Sequence, residues 1–227
     1  MSFPKNPETI VIKNNFYPKG LKEIDIWNYY QKNKNLILNE TKLRQILFFI
    51  AIDTNRFVVS RKYKGEPIFL NMSTYDKFIT GRTISIHSTM RSINPYGIID
   101  IDIDNFKMAK EATSNVYYEM LKCKFVDSLK IKYTGKESFH IICYFKRPLK
   151  MEFAKDLLKN YLKESEALND YDILGKRKKG IVNLDLSPNK LKGSYITLGS
   201  LSILGLRAME VKLQNLKYFK KEQAKIW

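Results

Sequence analysis

Apolar and polar residues alternate most cleanly over residues 97–103, which read GIIDIDI. A period of two places the isoleucines on one face of a strand and Asp100 and Asp102 on the other. Residues 21–30 carry Ile24, Trp27 and Tyr30 at helical spacing and predict an amphipathic helix. A second helix is expected over 40–52. Residues 56–63 and 66–70 have the β-branched and aromatic character of paired strands joined through Lys64-Gly65, and 83–87 reads as another strand. A long helix is expected over 106–125. A hairpin follows from 128–133 and 139–145 around Thr134-Gly135-Lys136-Glu137, and then a helix over 151–162. The polar stretch 163–180 reads as a mobile loop. Residues 181–186 form a strand carrying Asp185, with 194–198 expected to pair with it, and a basic helix closes the chain.

These elements mix helices and strands without the regular alternation of a doubly wound sheet, so the expected class is α+β. At 227 residues the chain suits one large domain or two intimately packed halves. No repeat and no Gly/Ser/Pro linker divides it. The halves are drawn at 1–90 (an N-terminal αβ half), 91–212 (a metal- and nucleotide-binding half) and 213–227 (a C-terminal basic helix).

Charge changes the picture. Forty Lys+Arg against 23 Asp+Glu give a formal +17. Such an excess repels itself in a compact chain, and a polyanionic partner relieves the repulsion. Cys123 and Cys143 are the only cysteines, and with two histidines they cannot assemble a zinc knuckle, so no structural zinc is expected. Reduced thiols point to an intracellular, cytoplasmic protein. The opening MSFPKNPETIVIKNN carries no apolar signal core, and the longest apolar run, residues 46–52, is too short for a bilayer. No membrane partner is expected.

Three clusters carry chemistry. Asp100 and Asp102 leave the same strand face roughly 6–7 Å apart, and like charges so close in a half-buried place call for a divalent cation. Asp100, Asp102, Asp104 and Glu111 also fall at ligand positions of an EF-hand loop, but Asn105 stands where its turn needs glycine and Lys107 where it is apolar, so the strand reading wins. The second cluster runs from Lys132 to His140. Its turn offers the hydroxyls of Thr134 and Ser138, backbone N–H groups at Gly135, and the Lys136 cation to a triphosphate. The third, VNLDLSPN, supplies Asp185 and Asn189.

In order, residue type and spacing these clusters resemble the motifs of the archaeo-eukaryotic primase superfamily: D-x-D, S-G-x-x-G-x-H and a later strand aspartate. Gly199-Ser200-Leu201 followed by Gly205-Leu206 is similar to a further family segment. Tyr17-Pro18, the helix ending Tyr29-Tyr30, residues 61–65 and Ser85-Ile86-His87 resemble the polymerase domain of bacterial DNA ligase D. The resemblance spans residues 17–206. It implies a primase-polymerase core with an RRM-like mixed or antiparallel sheet and packed helices. Asp100, Asp102 and Asp185 would hold two Mg²⁺ or Mn²⁺ ions. Thr134, Gly135, Lys136, Ser138 and His140 would hold the incoming nucleotide's phosphates, with His87, Lys178, Asn189 and Ser200 around it. Lys19 and Lys22 match positions near a 5′-phosphate site, and Arg61 and Arg177 join the nucleic-acid contacts.

The motif departs from the family at Thr134 (serine there), Ser138 (glycine), Glu137 (lysine in the end-joining enzymes) and Ser202 (arginine or histidine). Lys136 can replace the charge that Glu137 removes. The implied activity is template-dependent nucleotidyl transfer to a 3′-hydroxyl in priming, gap filling or end joining. Partners would be DNA or RNA template and primer, nucleoside triphosphates, and a ligase, helicase or large primase subunit. Nucleoid association follows from the same expectation. The competing reading is an inactive nucleic-acid-binding module or assembly subunit, because Glu137 and Ser202 break the pattern.

Overall fold

Runs of β-branched and aromatic residues build two main sheets, one in each of two compact units of the computed structural model, which describes residues 10–13, 21–53, 56–173 and 180–226; Lys62–Tyr63 and Glu66–Pro67 form a separate two-stranded ribbon. Unit 1 comprises Met1–Thr89, Ser194–Ala208 and Ala224–Trp227; unit 2 comprises Met90–Gly193 and Met209–Gln223. In chain order the elements are β1 (Ile10–Lys13), α1 (Glu23–Lys32), α2 (Lys34–Thr41), β2 (Ile46–Ala51), β3 (Arg56–Ser60), β4 (Lys62–Tyr63), β5 (Glu66–Pro67), α3 (Tyr75–Phe78) and β6 (Thr83–Thr89). They continue with β7 (Ile93–Asp102), α4 (Phe106–Leu121), β8 (Val126–Tyr133), β9 (Phe139–Lys150), α5 (Met151–Glu164), β10 (Asp172–Ile173), β11 (Asn183–Asp185), β12 (Ser194–Ile196), β13 (Met209–Val211) and α6 (Leu213–Leu216). The protein is α+β, as its pattern predicts.

Unit 1 carries an antiparallel sheet in the order β1-β3-β2-β6-β12. The helix expected over 40–52 does not form: residues 46–51 are β2. Helix α2 stops at Thr41, Leu43 adopts a left-handed φ of 59°, and the apolar run becomes a strand between β3 and β6. A short run buried on both faces has no period that separates strand from helix. Helix α1 begins at Lys22, whose N–H donates to Asp25 Oδ2 at 2.8 Å. It buries Ile26 and Tyr30, one i, i+4 stripe, whereas Ile24, expected on the inner face, is exposed. That stripe joins Ile37, Ile46, Phe48 and Ile86 in the unit's core.

Unit 2 carries a six-stranded sheet in the order β10-β11-β7-β9-β8-β13, antiparallel except for the β10–β11 pair. Ile99, Ile101, Phe139 and Ile141 share one face, and α4 lies on it, with the Phe106 ring stacked 5.6 Å from Phe139. Helix α5 packs there too: a Cβ on Gly97 would come within 2.7 Å of Leu158 Cδ1. The opposite face is left to Asp100, Asp102 and His140.

Two expectations fail here. Residues 194–198 do not pair with the Asp185 strand; β12 pairs with β6 instead. β11 already has β10 on one side and β7 on the other, so it offers no edge. The basic C-terminal helix over 213–227 does not form either. β13 joins the edge of β8, α6 is a single turn, and Lys221–Ala224 is a short 3₁₀ turn. Phe219 is drawn into rings of Tyr133 (5.0 Å), Phe139 (6.0 Å) and Phe106 (6.2 Å), and burying that ring outweighs continuing a helix. In the stretch expected to be a mobile loop, the described residues form a 3₁₀ turn, Glu166–Leu168, and β10.

Candidate active site

Strand register decides which side chains meet. Asp185 on β11 stands opposite Asp100 on β7, Asp100 opposite His140 on β9, and His140 opposite Lys132 on β8. Asp102, two residues along, stands opposite Asn183. Residues two apart share a face, so Asp185, Asn183, Asp100 and Asp102 form a rectangle of oxygen-bearing side chains. Its sides are about 5 Å across strands and 6–7 Å along them. The three aspartates are half-buried, while His140 and Lys132 are buried.

Polar atoms are left unpartnered on this face. Asp100 Oδ1, Asn183 Oδ1 and His140 Nδ1 are buried and accept or donate no hydrogen bond. Native interiors satisfy nearly all such atoms, so three on one face point to something the protein alone does not supply. His140 Nε2 approaches Asp100 Oδ1 at 3.6 Å, too far for a hydrogen bond, so the contact is electrostatic. Burial holds the His140 imidazole below its ordinary pKa; Asp100 and Asp185 oppose that, and Lys132 reinforces it.

The carboxylates do not close into a ready ligand set. Among the described residues no group of three or more His, Cys, Asp or Glu is gathered closely enough to hold a metal ion. Asp185 is engaged locally. Its Oδ1 accepts from Ser187 N–H at 2.7 Å and its Oδ2 from Ser187 Oγ at 2.6 Å, which curls the carboxylate onto its own turn. The backbone aligns the aspartates, and the Asp185 side chain is held aside.

The turn after β8 is braced from within. Thr134 Oγ1 donates to Ser138 O at 2.9 Å and meets Ser138 Oγ at 2.8 Å, while Tyr133 Oη donates to Lys136 O at 2.6 Å. Gly135 takes a φ of 86°, which glycine adopts without strain. Lys136 is exposed. Glu137 is ion-paired with Lys221. Its charge is therefore neutralised locally.

Two residues expected around the nucleotide have other work. The Asn189 amide is fully buried, accepts from Ile98 N–H at 2.7 Å and donates to Ile98 C=O at 2.5 Å. β11 ends at Asp185, and Asn189 supplies the ladder bonds that the next residues of β11 would have made. Ser200, in unit 1, accepts from Ile86 N–H at 2.7 Å and donates to Leu201 C=O at 2.9 Å. His87 stands on β6 with its ring 4.8 Å from that of Phe49. Lys22 is exposed at the start of α1, and Arg61 is half-buried beside β4. Lys19, Arg177 and Lys178 lie outside the described residues.

No family model matches the chain, and no curated protein sequence matches it. Among solved structures it is similar to the polymerase domain from Mycobacterium tuberculosis ligase D in complex with DNA, with a TM-score of 0.75 over 93% of this chain and 90% of that one at 13% identity. The chain has the fold of the ligase D polymerase domain. The fold expected from the motifs is thus the fold found. Among the residues that motif reading did not single out on this face is Asn183, because an asparagine in an apolar strand has no signature of its own. Lys132 was within reach: a turn of five residues between Tyr133 and Phe139 sets it beside His140. Lys221 had no signal, since its approach to Glu137 follows from β13 joining the sheet.

Proposed function

We propose that this protein is a metal-dependent nucleotidyltransferase, a primase-polymerase that adds nucleotides to the 3′-hydroxyl of a nucleic-acid strand on a template. One observation carries the reading: on a polymerase-domain fold, Asp185 stands opposite Asp100 with Asp102 on the same sheet face. The oxygens of Asp100, Asp102 and Asp185 are hard donors suited to Mg²⁺ or Mn²⁺, and the unpartnered Asp100 Oδ1 fits such a cation. Divalent ions bound there would favour deprotonation of the attacking hydroxyl and neutralise charge on the departing pyrophosphate. Asp185 would have to turn away from Ser187 to take part.

The protein's own groups would do the remaining work. The Thr134–Ser138 turn would present hydroxyls and N–H groups to the triphosphate, and His140, neutral at pH 7, would stand beside Asp100 without adding a competing positive charge. The excess of lysine and arginine would track template phosphates, as the DNA of the ligase D complex suggests. Among the described residues no helix is long and apolar enough to cross a membrane.

The test is Mn²⁺- and Mg²⁺-dependent incorporation on three substrates: an unprimed single strand, a primed template, and a gapped duplex with a 5′ phosphate. Incorporation abolished by Asp100→Ala supports the proposal; incorporation unaffected by it refutes the site. A second reading, a non-catalytic nucleic-acid-binding module, draws on the Asp185–Ser187 bonds and the open carboxylate set. It predicts nucleic-acid binding without Mn²⁺-dependent triphosphate binding, which calorimetry distinguishes.

A further inference from the structure

Asn183 stands at the fourth corner of the carboxylate rectangle, opposite Asp102 and two residues before Asp185 on β11. It is 7% exposed, and its Oδ1 is buried without a hydrogen-bond partner. An amide placed there for packing alone is a poor choice. An apolar side chain of similar size would fill the space without desolvating a carbonyl, and native proteins pair nearly every such group. The three other corners are aspartates. A carboxamide oxygen has the hardness of a carboxylate oxygen without its charge, so it adds a ligand without adding to the repulsion among three acids.

We propose that Asn183 Oδ1 is a fourth oxygen of the divalent-cation site, beside Asp102 on the same sheet face. The inference rests on the metal-dependent reading above and extends it to a residue that the motifs do not name. A neutral fourth oxygen also accounts for the opposed demands on the site. Without the ion Asn183 is a liability, an unpaired dipole in a buried place. With the ion that dipole is satisfied. The residue is thus expected to weaken the metal-free protein while strengthening the metal-bound one, and a purely structural asparagine cannot do both.

The experiment compares Asn183→Leu and Asn183→Asp with wild type, using Mn²⁺ alone as the probe. Calorimetry gives the Mn²⁺ dissociation constant, and melting is followed in EDTA and in saturating Mn²⁺. Asn183→Leu is expected to melt no lower than wild type in EDTA, to weaken Mn²⁺ binding roughly tenfold to a hundredfold, and to lose most of the melting shift that Mn²⁺ produces. Asn183→Asp is expected to hold Mn²⁺ at least as tightly as wild type and to melt lower in EDTA, since a fourth carboxylate adds repulsion. Should Asn183→Leu not fold, Asn183→Asp carries the test by that pair of readings. Mn²⁺ affinity unchanged in Asn183→Leu, or weakened in Asn183→Asp, overturns the inference and leaves the proposed function standing. A wild-type protein that binds no Mn²⁺ overturns both.

Discussion

Unit 1 and unit 2 both bury polar side chains beside a central strand, and they treat them in opposite ways. In unit 1 the seam between β6 and the segment after β12 is closed: Ser200 bonds Ile86 N–H and Leu201 C=O, and Ser88 Oγ lies 2.9 Å from Thr197 Oγ1. In unit 2 the row across β11, β7 and β9 leaves Asp100 Oδ1, Asn183 Oδ1 and His140 Nδ1 without partners. A closed polar network fixes register and asks nothing of a ligand. An open one costs folding energy until something completes it. The difference separates residues that hold the fold from residues proposed to serve chemistry, and it can be broken by mutation.

The largest effect is expected at the open row. Asp100→Ala should lower metal-dependent nucleotide incorporation roughly a thousandfold, while melting in EDTA stays level or rises because a repelling carboxylate is gone. Primer extension and a melting scan on the same preparation check it. A stability loss large enough to explain the lost activity would place Asp100 with the closed networks.

Asn189→Ala should behave in the opposite way. It strips Ile98 N–H and C=O of their partners and opens a hole beside Gly97, where the Asn189 side chain now packs. The cost is about 2–4 kcal/mol of unfolding free energy, read from denaturant titration, with Mn²⁺ affinity kept in whatever remains folded. Ser200→Ala should cost less, about 1–2 kcal/mol, since one buried N–H loses its acceptor.

How much of this could be read from the chain depends on which atoms a pattern addresses. Alternation exposed β7 and its aspartates, and the short polar turn exposed the β8–β9 hairpin, so the His140–Asp100 neighbourhood was nearly legible before any coordinates. β2 was not, because six apolar residues in a row carry no period. The partner of β12 was not, because pairing of a three-residue strand is decided by which edges remain open elsewhere. Motif resemblance drew Asn189 and Ser200 toward the nucleotide because it matches residue types; only hydrogen-bond geometry shows their polar atoms engaged by the main chain. Asn183 escaped for the converse reason: its Oδ1 has no partner and its type is unremarkable.

His140 sharpens the comparison through pH. Its pKa is lowered in the folded protein, chiefly by burial, against about 6.5 in the unfolded chain. Below that value the unfolded chain binds a proton that the folded one refuses, so stability falls as pH falls, until the lowered folded pKa is reached. For this one group the slope in EDTA cannot exceed about 1.4 kcal/mol per pH unit. His140→Gln should flatten the profile between pH 7 and pH 5. A slope that survives the substitution would assign it to other groups.

The smallest effect belongs to the exposed ion pair of the β8–β9 turn, Glu137 with Lys221. Both side chains are about a third exposed, at 38% and 31%, so water screens their attraction. A double-mutant cycle with Glu137→Gln and Lys221→Met should give a coupling below about 1 kcal/mol. Their consequence is expected in binding rather than stability. Glu137→Gln removes a negative charge from a turn proposed to face a triphosphate and leaves Lys221 beside it, so the triphosphate dissociation constant should tighten a few-fold, measured with Mn²⁺ present. Lys221→Met removes the neutralising partner and exposes that same negative charge to the ligand, so binding should weaken by a similar factor. Opposite signs from two substitutions at one weak ion pair are the signature of an electrostatic role in the turn; shifts of the same sign would mean that the pair only props the loop.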